Sequence, residues 1–165
     1  FEDYQKYFVA DYAQEIMDNY GHSNIVALNM AKHAINTSFP DGITKDNDVL
    51  YCIDIVDTEE LETNDLMQSE ETEAKEGERA QLAGYLWRII DDKKESCFIS
   101  DFYVLPSMRS KGVGKRAINQ LEQSLKEIGV SQIKLRVAHQ NQRAVALYQA
   151  VGFNITGVNM SKLLS

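Results

Sequence analysis

Apolar side chains at the start of the chain recur every three to four residues, which is the period of a helix. The stripe consists of Tyr4, Phe8, Tyr12, Ile16 and Tyr20. Gly21 follows it, and glycine is typical of the position just after a helix. A second helix is predicted from Ser23, a candidate N-cap, to the turn-forming residues 39–42. Two amphipathic helices therefore precede the first strand.

Three later segments, 49–56, 81–90 and 96–104, are dense in β-branched and aromatic residues and predict strands. The link at 91–94 is short and polar, which favours a hairpin between the second and third strands. The link at 57–79 is long, polar and poor in aromatic residues, and it predicts a mobile excursion from the fold.

The helical period returns after Pro106. A helix at 113–128, a strand at 133–137, a helix at 144–151 and one or two closing strands at 153–164 are predicted in that order. A hairpin followed by strand, helix and strand indicates a mixed sheet with helices packed on it. We therefore predict one α/β domain spanning residues 1–165.

Charge is distributed unevenly along the chain. The 165 residues include 25 acids and 17 Lys or Arg, for a net charge of −8, and the segment 57–79 alone holds ten of the acids against two bases. The rest of the chain is balanced. The overall acidic charge argues against a general nucleic-acid or anionic-membrane binder. The acidic segment is interpreted either as a solvated loop or as an attractor of a cationic acceptor.

The cysteines and the hydropathy exclude several classes of protein. Cys52 and Cys97 lie in apolar runs without metal-ligand spacing, so we expect buried thiols in a reducing cytoplasm, with neither a disulfide nor a metal site. No apolar run approaches the roughly 18 residues of a membrane span, and no leader opens the chain. These observations favour a cytoplasmic protein that does not bind membranes.

A glycine-containing, basic stretch links the third predicted strand to the following helix. Gly112 and Gly114 stand where the backbone turns, and the stretch carries the basic residues Arg109, Lys111, Lys115 and Arg116. Backbone N–H groups at a helix N-terminus attract anions, glycine lets an anion approach closely, and basic side chains add Coulombic attraction. The stretch is therefore interpreted as a phosphate cradle, with a tight turn bearing solvated bases as the alternative.

Two familiar phosphate-binding loops fit this stretch poorly. The nucleoside-triphosphate loop would need glycine at Arg109 and a hydroxyl side chain at Arg116. The dinucleotide pattern is met by Gly112, Gly114 and Ala117, but the next strand ends in Arg136-Val137-Ala138, where that fold requires an acid. The residues around the stretch therefore argue against both interpretations.

A third pattern, Arg/Gln-x-x-Gly-x-Gly/Ala, is matched by Arg109, Gly112 and Gly114. One strand later, residues 141–153 match Asn-x-x-Ala-x-x-Leu-Tyr-x-x-x-Gly-Phe throughout. In these two signatures, which cover about 98–153, the chain resembles the GNAT superfamily of acetyl-CoA-dependent N-acetyltransferases. The resemblance implies a three-layer αβα fold, with a mixed central sheet that contains a splayed pair of parallel strands. The family opens with a strand, so we expect an N-terminal strand to be missing from this chain.

The resemblance also implies a set of acetyl-CoA contacts and no metal. The backbone of Tyr103 and Val104 would bind pantetheine like an added strand. The pyrophosphate would lie on the backbone amides of Arg109, Ser110, Lys111, Gly112, Val113 and Gly114, with charge added by the Arg109 and Lys111 side chains. Asn141 would help to fix the cofactor arm, and it is equally a good N-cap.

Roles in the reaction follow from the same resemblance. Tyr148 occupies the position of the general acid, with simple packing beside the cofactor as the alternative. The backbone N–H near Val104 would polarise the thioester carbonyl. For the base, Asp101 lies in an otherwise apolar strand and is the first candidate; Asp54 and a relay without a dedicated base stay open.

The function implied is transfer of acetyl from acetyl-CoA to a primary amine by direct attack in a ternary complex. The alternative is an inactive CoA-binding or sensory module of the same fold. The acceptor is expected to be a small molecule or a peptide, not a nucleic acid. The aromatic first helix is the place to look for the acceptor pocket, although its stripe is equally suited to the core or to a homodimer contact.

Overall fold

The computed structural model describes residues 1–40, 47–56, 80–160 and 162. Its elements, in chain order, are the helices and strands α1 (Glu2–Tyr20), α2 (Asn24–Ser38), β1 (Asp48–Val56), β2 (Ala80–Ile90), β3 (Ser96–Val104), α3 (Val113–Glu127), β4 (Gln132–Leu135) and α4 (Gln142–Ala150), with a short 3-10 helix at Pro106–Met108. These bounds agree with the predicted elements to within about two residues up to α4. Gly21 ends α1 in the left-handed conformation, with φ of 68°.

The described strands form one mixed sheet in the order β1-β2-β3-β4. β2 pairs antiparallel with both β1 and β3, and β4 runs parallel to β3. The parallel pairing ends at Ile99 and Leu135, although β3 continues to Val104. The last five residues of β3 therefore have no β4 partner, which confirms the predicted splay between two parallel strands.

A bulge in β3 lies at the start of this splay. Trp87 of β2 faces Asp101, whereas the next residue, Arg88, faces Ile99, so Ser100 is the extra residue in β3. Because side chains alternate between the two faces of a strand, one extra residue turns the following side chains to the opposite face. Asp101 and Tyr103 therefore face the side of Trp87 and Tyr85.

Helices cover the sheet on both sides, which confirms the three-layer architecture. On one face, α1 and α2 pack Tyr4, Phe8 and Ile35 against Tyr85 and Trp87. On the other face, a core from β2, β3, α3 and α4 contains Leu86, Ile90, Cys97, Ile99, Ile118, Leu121, Leu125 and Tyr148. The aromatic stripe of α1 is thus mainly core, as one of the two sequence interpretations held.

Two expectations are corrected, and a third, the N-cap at Ser23, is confirmed in position only. Residues 153–160 form no strand, and Ile155, Val158 and Met160 are exposed, because β propensity produces a strand only where a partner edge accepts it. Cys52 is exposed on the edge strand β1, whereas Cys97 is buried as expected; both thiols are free. Ser23 occupies the N-cap position of α2 without a side-chain capping bond.

The acidic segment 57–79 lies outside the described residues, so its interpretation stays a prediction. In the part of the chain that is described, none of the helices combines the length and the apolar character that a membrane crossing would need.

Candidate active site

The link between β3 and α3 has an unusual backbone. After the 3-10 turn, Ser110 and Gly112 both adopt the left-handed conformation, with φ of 62° and 75°. Gly112 is the N-cap of α3 and, like Ser110 and Lys111, is exposed. Left-handed residues alternating with others turn successive N–H groups toward one concave surface, which is a typical anion site. The geometry fits the phosphate cradle predicted from the motif.

The basic side chains of the link are arranged differently from one another. Arg109 donates from Nε to the Val104 carbonyl at 2.8 Å, and its guanidinium lies over the Tyr103 ring at 5.3 Å. Arg116 donates to the Lys111 carbonyl at 3.1 Å, whereas Lys111 itself is exposed. Arg109 is therefore held against the end of β3, whereas Lys111 is the more exposed of the two cations predicted to contact a phosphate.

Val113 and Gly114 are packing positions as well as loop positions. Val113 is buried with Ala83 and Met108 beneath the link. A Cβ on Gly114 would lie 3.0 Å from a methyl of Leu147, so the missing side chain lets α3 approach α4. Their backbone amides still belong to the first turn of α3, where N–H groups are not used inside the helix.

Asn141 is the N-cap of α4. Its side-chain oxygen accepts a hydrogen bond from the Ala144 N–H at 3.1 Å. This supports the capping interpretation, while the contact with a cofactor arm stays a prediction. The cap sets the start of the helix that carries Tyr148.

Asp101 lies in the part of β3 that has no β4 partner and faces the α1 side of the sheet. The Tyr7 hydroxyl of α1 donates to Asp101 Oδ1 at 3.1 Å. Asp101 Oδ2 and the Tyr4 hydroxyl are both buried without a partner of good geometry, although Tyr4 lies near enough to lower the pKa of the carboxyl. Desolvation outweighs these contacts and raises the pKa of Asp101 to about 6.

Tyr148 approaches the splay from the opposite face of the sheet. Its ring is buried and packs edge-on against Phe153 and beside Phe102. Desolvation, followed by the charge of Asp101, raises the pKa of Tyr148 to about 12. The charge of Asp101 on the α1 face thus acts on Tyr148 on the α4 face.

Other sequence candidates lie elsewhere. Asp54 is exposed on β1, which β2 separates from β3, at about 5 Å per strand. His22, His33 and His139 are exposed. Among the described residues, no group of three or more His, Cys, Asp or Glu could hold a metal ion.

Three residues at the site were not singled out from the sequence. One is Tyr7, which lies beside the apolar stripe of α1. Another is Arg143, which belongs to the second signature and donates to Ser110 Oγ at 3.4 Å. A Cβ on Gly84 would lie 2.0 Å from the Tyr103 carbonyl oxygen, so β2 touches β3 there as only glycine allows. A lone glycine in the apolar run 81–90 was the available signal for this close approach.

The comparisons with known proteins agree with this geometry. The model of the acetyltransferase (GNAT) family matches residues 45–153. The uncharacterized N-acetyltransferase YdgE of Bacillus subtilis is 26% identical over 99% of this chain and 92% of its own length. The uncharacterized N-acetyltransferase YycN of the same bacterium is 35% identical, but the match spans 50% of this chain and 54% of YycN.

The fold also has a solved counterpart. The crystal structure of YycN superimposes on this chain with a TM-score of 0.80, covering 100% of this chain and 92% of that one at 24% identity. At this identity the likeness shows the fold. Since the family model spans well over half of the sequence, the chain belongs to the acetyltransferase (GNAT) family.

Proposed function

We propose that this protein transfers the acetyl group of acetyl-CoA to a primary amine in a ternary complex. The observation that carries the proposal is the position of Asp101 and Tyr148, which approach the splay of β3 and β4 from opposite faces of the sheet. Membership of the family supports the reaction type. The residues fit the co-substrate, because a left-handed, exposed glycine opens α3 directly beyond the splay.

Binding would use the backbone more than the side chains. The amides from Arg109 to Gly114 would hold the pyrophosphate, with Lys111 supplying a nearby positive charge. The edge of β3 at Tyr103 and Val104 would accept the pantetheine arm, since no strand among the described residues pairs with this edge beyond Ile99. When bound there, acetyl-CoA supplies a thioester whose C–S bond breaks as the amine forms the new C–N bond.

Asp101 would act as the base. A primary amine is mostly protonated at neutral pH and must lose a proton before it attacks. With a pKa of about 6, the Asp101 carboxylate is mostly ionised at pH 7 and still basic enough to accept that proton, directly or through water. Tyr7 would hold the carboxylate toward the splay by its hydrogen bond.

Tyr148 would act as the acid. Burial and the charge of Asp101 keep the pKa of its hydroxyl near 12, so the group is protonated at neutral pH. It would give its proton to the departing CoA sulfur and so prevent the reverse attack of the thiolate. The balanced outcome is an N-acetyl amine and the free thiol of CoA.

The replacement Tyr148→Phe tests this assignment. We expect kcat, measured by thiol release from acetyl-CoA with a panel of primary amines, to fall by about 10²- to 10⁴-fold, the usual contribution of a general acid. The affinity for acetyl-CoA, measured by calorimetry, should stay close to that of the unchanged protein. Tyr20→Phe is the matched control, because Tyr20 is 60% exposed at the far end of α1.

Two outcomes contradict the proposal in different ways. Unchanged turnover of Tyr148→Phe would remove Tyr148 as the acid while leaving the acetyltransferase intact. Thermal stabilisation by CoA with no thiol release from any amine would favour the inactive CoA-binding module instead.

A further inference from the structure

Tyr7 of α1 packs on two aromatic rings of the sheet. Its ring centroid lies 3.7 Å from that of Tyr103 in β3 and 6.1 Å from that of Tyr85 in β2, and both pairs are stacked. The guanidinium of Arg109 also lies over the Tyr103 ring, at 5.3 Å. Side chains that pack against several neighbours are held in one rotamer. These contacts therefore fix Tyr7 at the end of β3, where the thioester is proposed to lie.

The carboxyl of Asp101 is covered by two hydroxyl groups of α1. Tyr7 donates to Oδ1 at 3.1 Å. The Tyr4 hydroxyl lies close enough to the carboxyl to lower its pKa, and this hydroxyl and Oδ2 are both buried. The Tyr4 side chain is 1% exposed, whereas Tyr7 is only partly buried. Of the two hydroxyls, that of Tyr7 is therefore the one that a substrate can reach.

Asp101 is displaced along β3 from the place proposed for the thioester. The backbone N–H proposed to polarise the thioester carbonyl lies near Val104, which follows Asp101 by three residues. At about 3.3 Å per residue, this separation is about 10 Å along the strand. A hydrogen bond spans only about 3 Å between heavy atoms. A group between the two positions can carry the proton, and Tyr7 contacts both Asp101 and Tyr103.

The Tyr7 hydroxyl can accept one hydrogen bond while it donates another. A phenolic hydroxyl has one donor hydrogen and also acceptor lone pairs. Its hydrogen is used on Asp101, and within the described ranges no group of the chain donates to its oxygen. The oxygen can therefore accept an N–H of a primary ammonium group while the hydroxyl hydrogen stays directed at Asp101.

The surroundings of Tyr7 oppose ionisation of its hydroxyl. Desolvation, followed by the charges of Asp101 and Asp11, raises the pKa of Tyr7 above its ordinary value of 10.0. The titratable groups around it are Tyr4 and Asp11 of α1, Tyr85 of β2, and Asp101 and Tyr103 of β3. None of these groups is a cation that would stabilise a tyrosinate. Tyr7 can therefore give up its proton only while it receives another.

We propose that Tyr7 is a catalytic residue that relays the proton of the incoming amine to Asp101. This inference rests on the proposed function and adds a residue to it. The Tyr7 oxygen takes a proton from the ammonium nitrogen as the hydroxyl proton moves to Asp101 Oδ1. One N–H bond and one O–H bond break, and two O–H bonds form. The amine becomes neutral, Asp101 becomes a carboxylic acid, and Tyr7 is unchanged.

The replacement Tyr7→Phe removes the hydroxyl and keeps the ring. We expect kcat/KM for butylamine, measured by thiol release from acetyl-CoA at neutral pH, to fall by about 10²- to 10⁴-fold, the usual contribution of acid–base catalysis. For trifluoroethylamine the fall should be less than about tenfold, because its fluorine atoms make the amine mostly neutral at this pH, so that it needs no base. A purely structural role of Tyr7 would lower both values equally.

Tyr12→Phe is the matched control, because it removes a hydroxyl from the same helix where the ring packs on Phe8. It should leave kcat/KM for both amines unchanged. In the double variant Tyr7→Phe/Asp101→Asn, kcat/KM for butylamine should stay close to that of Asp101→Asn, since both residues serve one proton path. The CoA affinity of each variant, measured by calorimetry, shows that the fold is retained.

Solvent isotope effects distinguish a relay from simple positioning of Asp101. A relay moves two protons in one step, so kcat/KM for butylamine should depend on the deuterium fraction of the water along a curve. In Tyr7→Phe this curvature should decrease, because one proton fewer moves. Unchanged curvature would mean that Tyr7 only positions the carboxylate, and it would overturn the relay.

The outcomes separate this inference from the proposed function. Undiminished kcat/KM in Tyr7→Phe, or equal losses for the two amines, would overturn the relay while leaving the acetyltransferase in place. If the unchanged protein acetylates no primary amine although it binds CoA, the proposed function fails and the relay fails with it.

Discussion

Asp101 links the stability of the fold to the proposed chemistry. Its carboxyl is buried beside two tyrosines, and only one of its oxygens has a well-formed hydrogen bond. Burial raises its pKa from 3.8 to about 6, which means that the folded protein disfavours the ionised form. A group that stays ionised at the cost of stability is expected where the charge is needed for chemistry.

The replacement Asp101→Asn should therefore change the pH dependence of stability. In the unchanged protein the folded state binds the proton of the Asp101 carboxyl more tightly than the unfolded state does. The stabilisation that this proton provides is therefore complete below pH 4 and is lost as pH rises through 6. At 1.36 kcal/mol per pKa unit, the free energy of unfolding should fall by up to about 3 kcal/mol from this group alone. Urea unfolding at pH 4, 5, 6 and 7 measures it.

In Asp101→Asn, this pH-dependent decrease in the free energy of unfolding should be absent. The rise of kcat/KM near pH 6 that a base would produce should be absent as well. Asp18→Asn, an exposed acid of α1, is the control for the loss of a charge. A constant difference between Asp101→Asn and the unchanged protein at every pH would show that the carboxyl titrates normally.

At the scale of elements, the first turn of α3 combines two requirements in neighbouring glycines. Gly112 needs the left-handed conformation, while Gly114 is needed because Leu147 of α4 lies against it. Gly112 is therefore required by the conformation of the loop, and Gly114 is required by the packing of α3 against α4. The Gly-x-Gly motif does not reveal this difference, because both positions are simply glycine in the sequence.

The pair Gly112→Ala and Gly129→Ala separates anion binding from backbone strain. Both glycines have positive φ, at 75° and 82°, so each alanine should cost about 1–2 kcal/mol in the free energy of unfolding. Only Gly112 lies in the proposed cradle, where a Cβ also comes 3.2 Å from Arg116. We expect the affinity for CoA, measured by calorimetry, to fall more than tenfold in Gly112→Ala and to change little in Gly129→Ala.

A CoA affinity in Gly112→Ala that stays equal to that of the unchanged protein would contradict the cradle. Equal losses in both would assign the effect to general destabilisation, because Gly129 lies at the opposite end of α3.

At the scale of the whole molecule, the net charge of −8 comes from one segment of the chain. Outside 57–79, acids and bases are equal in number, and the basic link before α3 has no acid near it in sequence. The proposed polyanionic co-substrate would therefore meet a locally basic surface on a negatively charged protein. Long-range repulsion should therefore slow the association of the co-substrate, whereas local attraction should strengthen its binding.

Replacing the ten acids of 57–79 by their amides tests this division. The net charge would change from −8 to +2, and the association rate of CoA should increase several-fold at low salt, where the screening length is about 30 Å. Stopped-flow measurement in about 0.01 M and 1 M salt provides the comparison, because the screening length falls to about 3 Å at the higher salt. An unchanged rate at low salt would contradict long-range repulsion by this segment.

The order of helices and strands was determined by the sequence, because each element depends on a local period. The stripe from Tyr4 to Tyr20 predicts a helix, the β-branched runs predict strands, and glycines mark helix ends. The structure contains each of these predicted elements. The link predicted to bind phosphate could also be identified locally, since Arg109, Gly112 and Gly114 stand close together in the chain. The residues 153–160 were misread for the same reason: their local preference is for strand, yet a strand forms only beside a partner.

Only the tertiary structure decided what faces the splay. One extra residue at Ser100 turns Asp101 from the α3 face to the α1 face, and a bulge depends on how two strands pair rather than on either strand alone. Tyr7 reaches Asp101 across 94 positions of sequence, a contact that no local pattern contains. The sequence therefore determined the elements and the motif of the proposed phosphate cradle, whereas long-range pairing and packing decided which side chains meet at the proposed reaction centre.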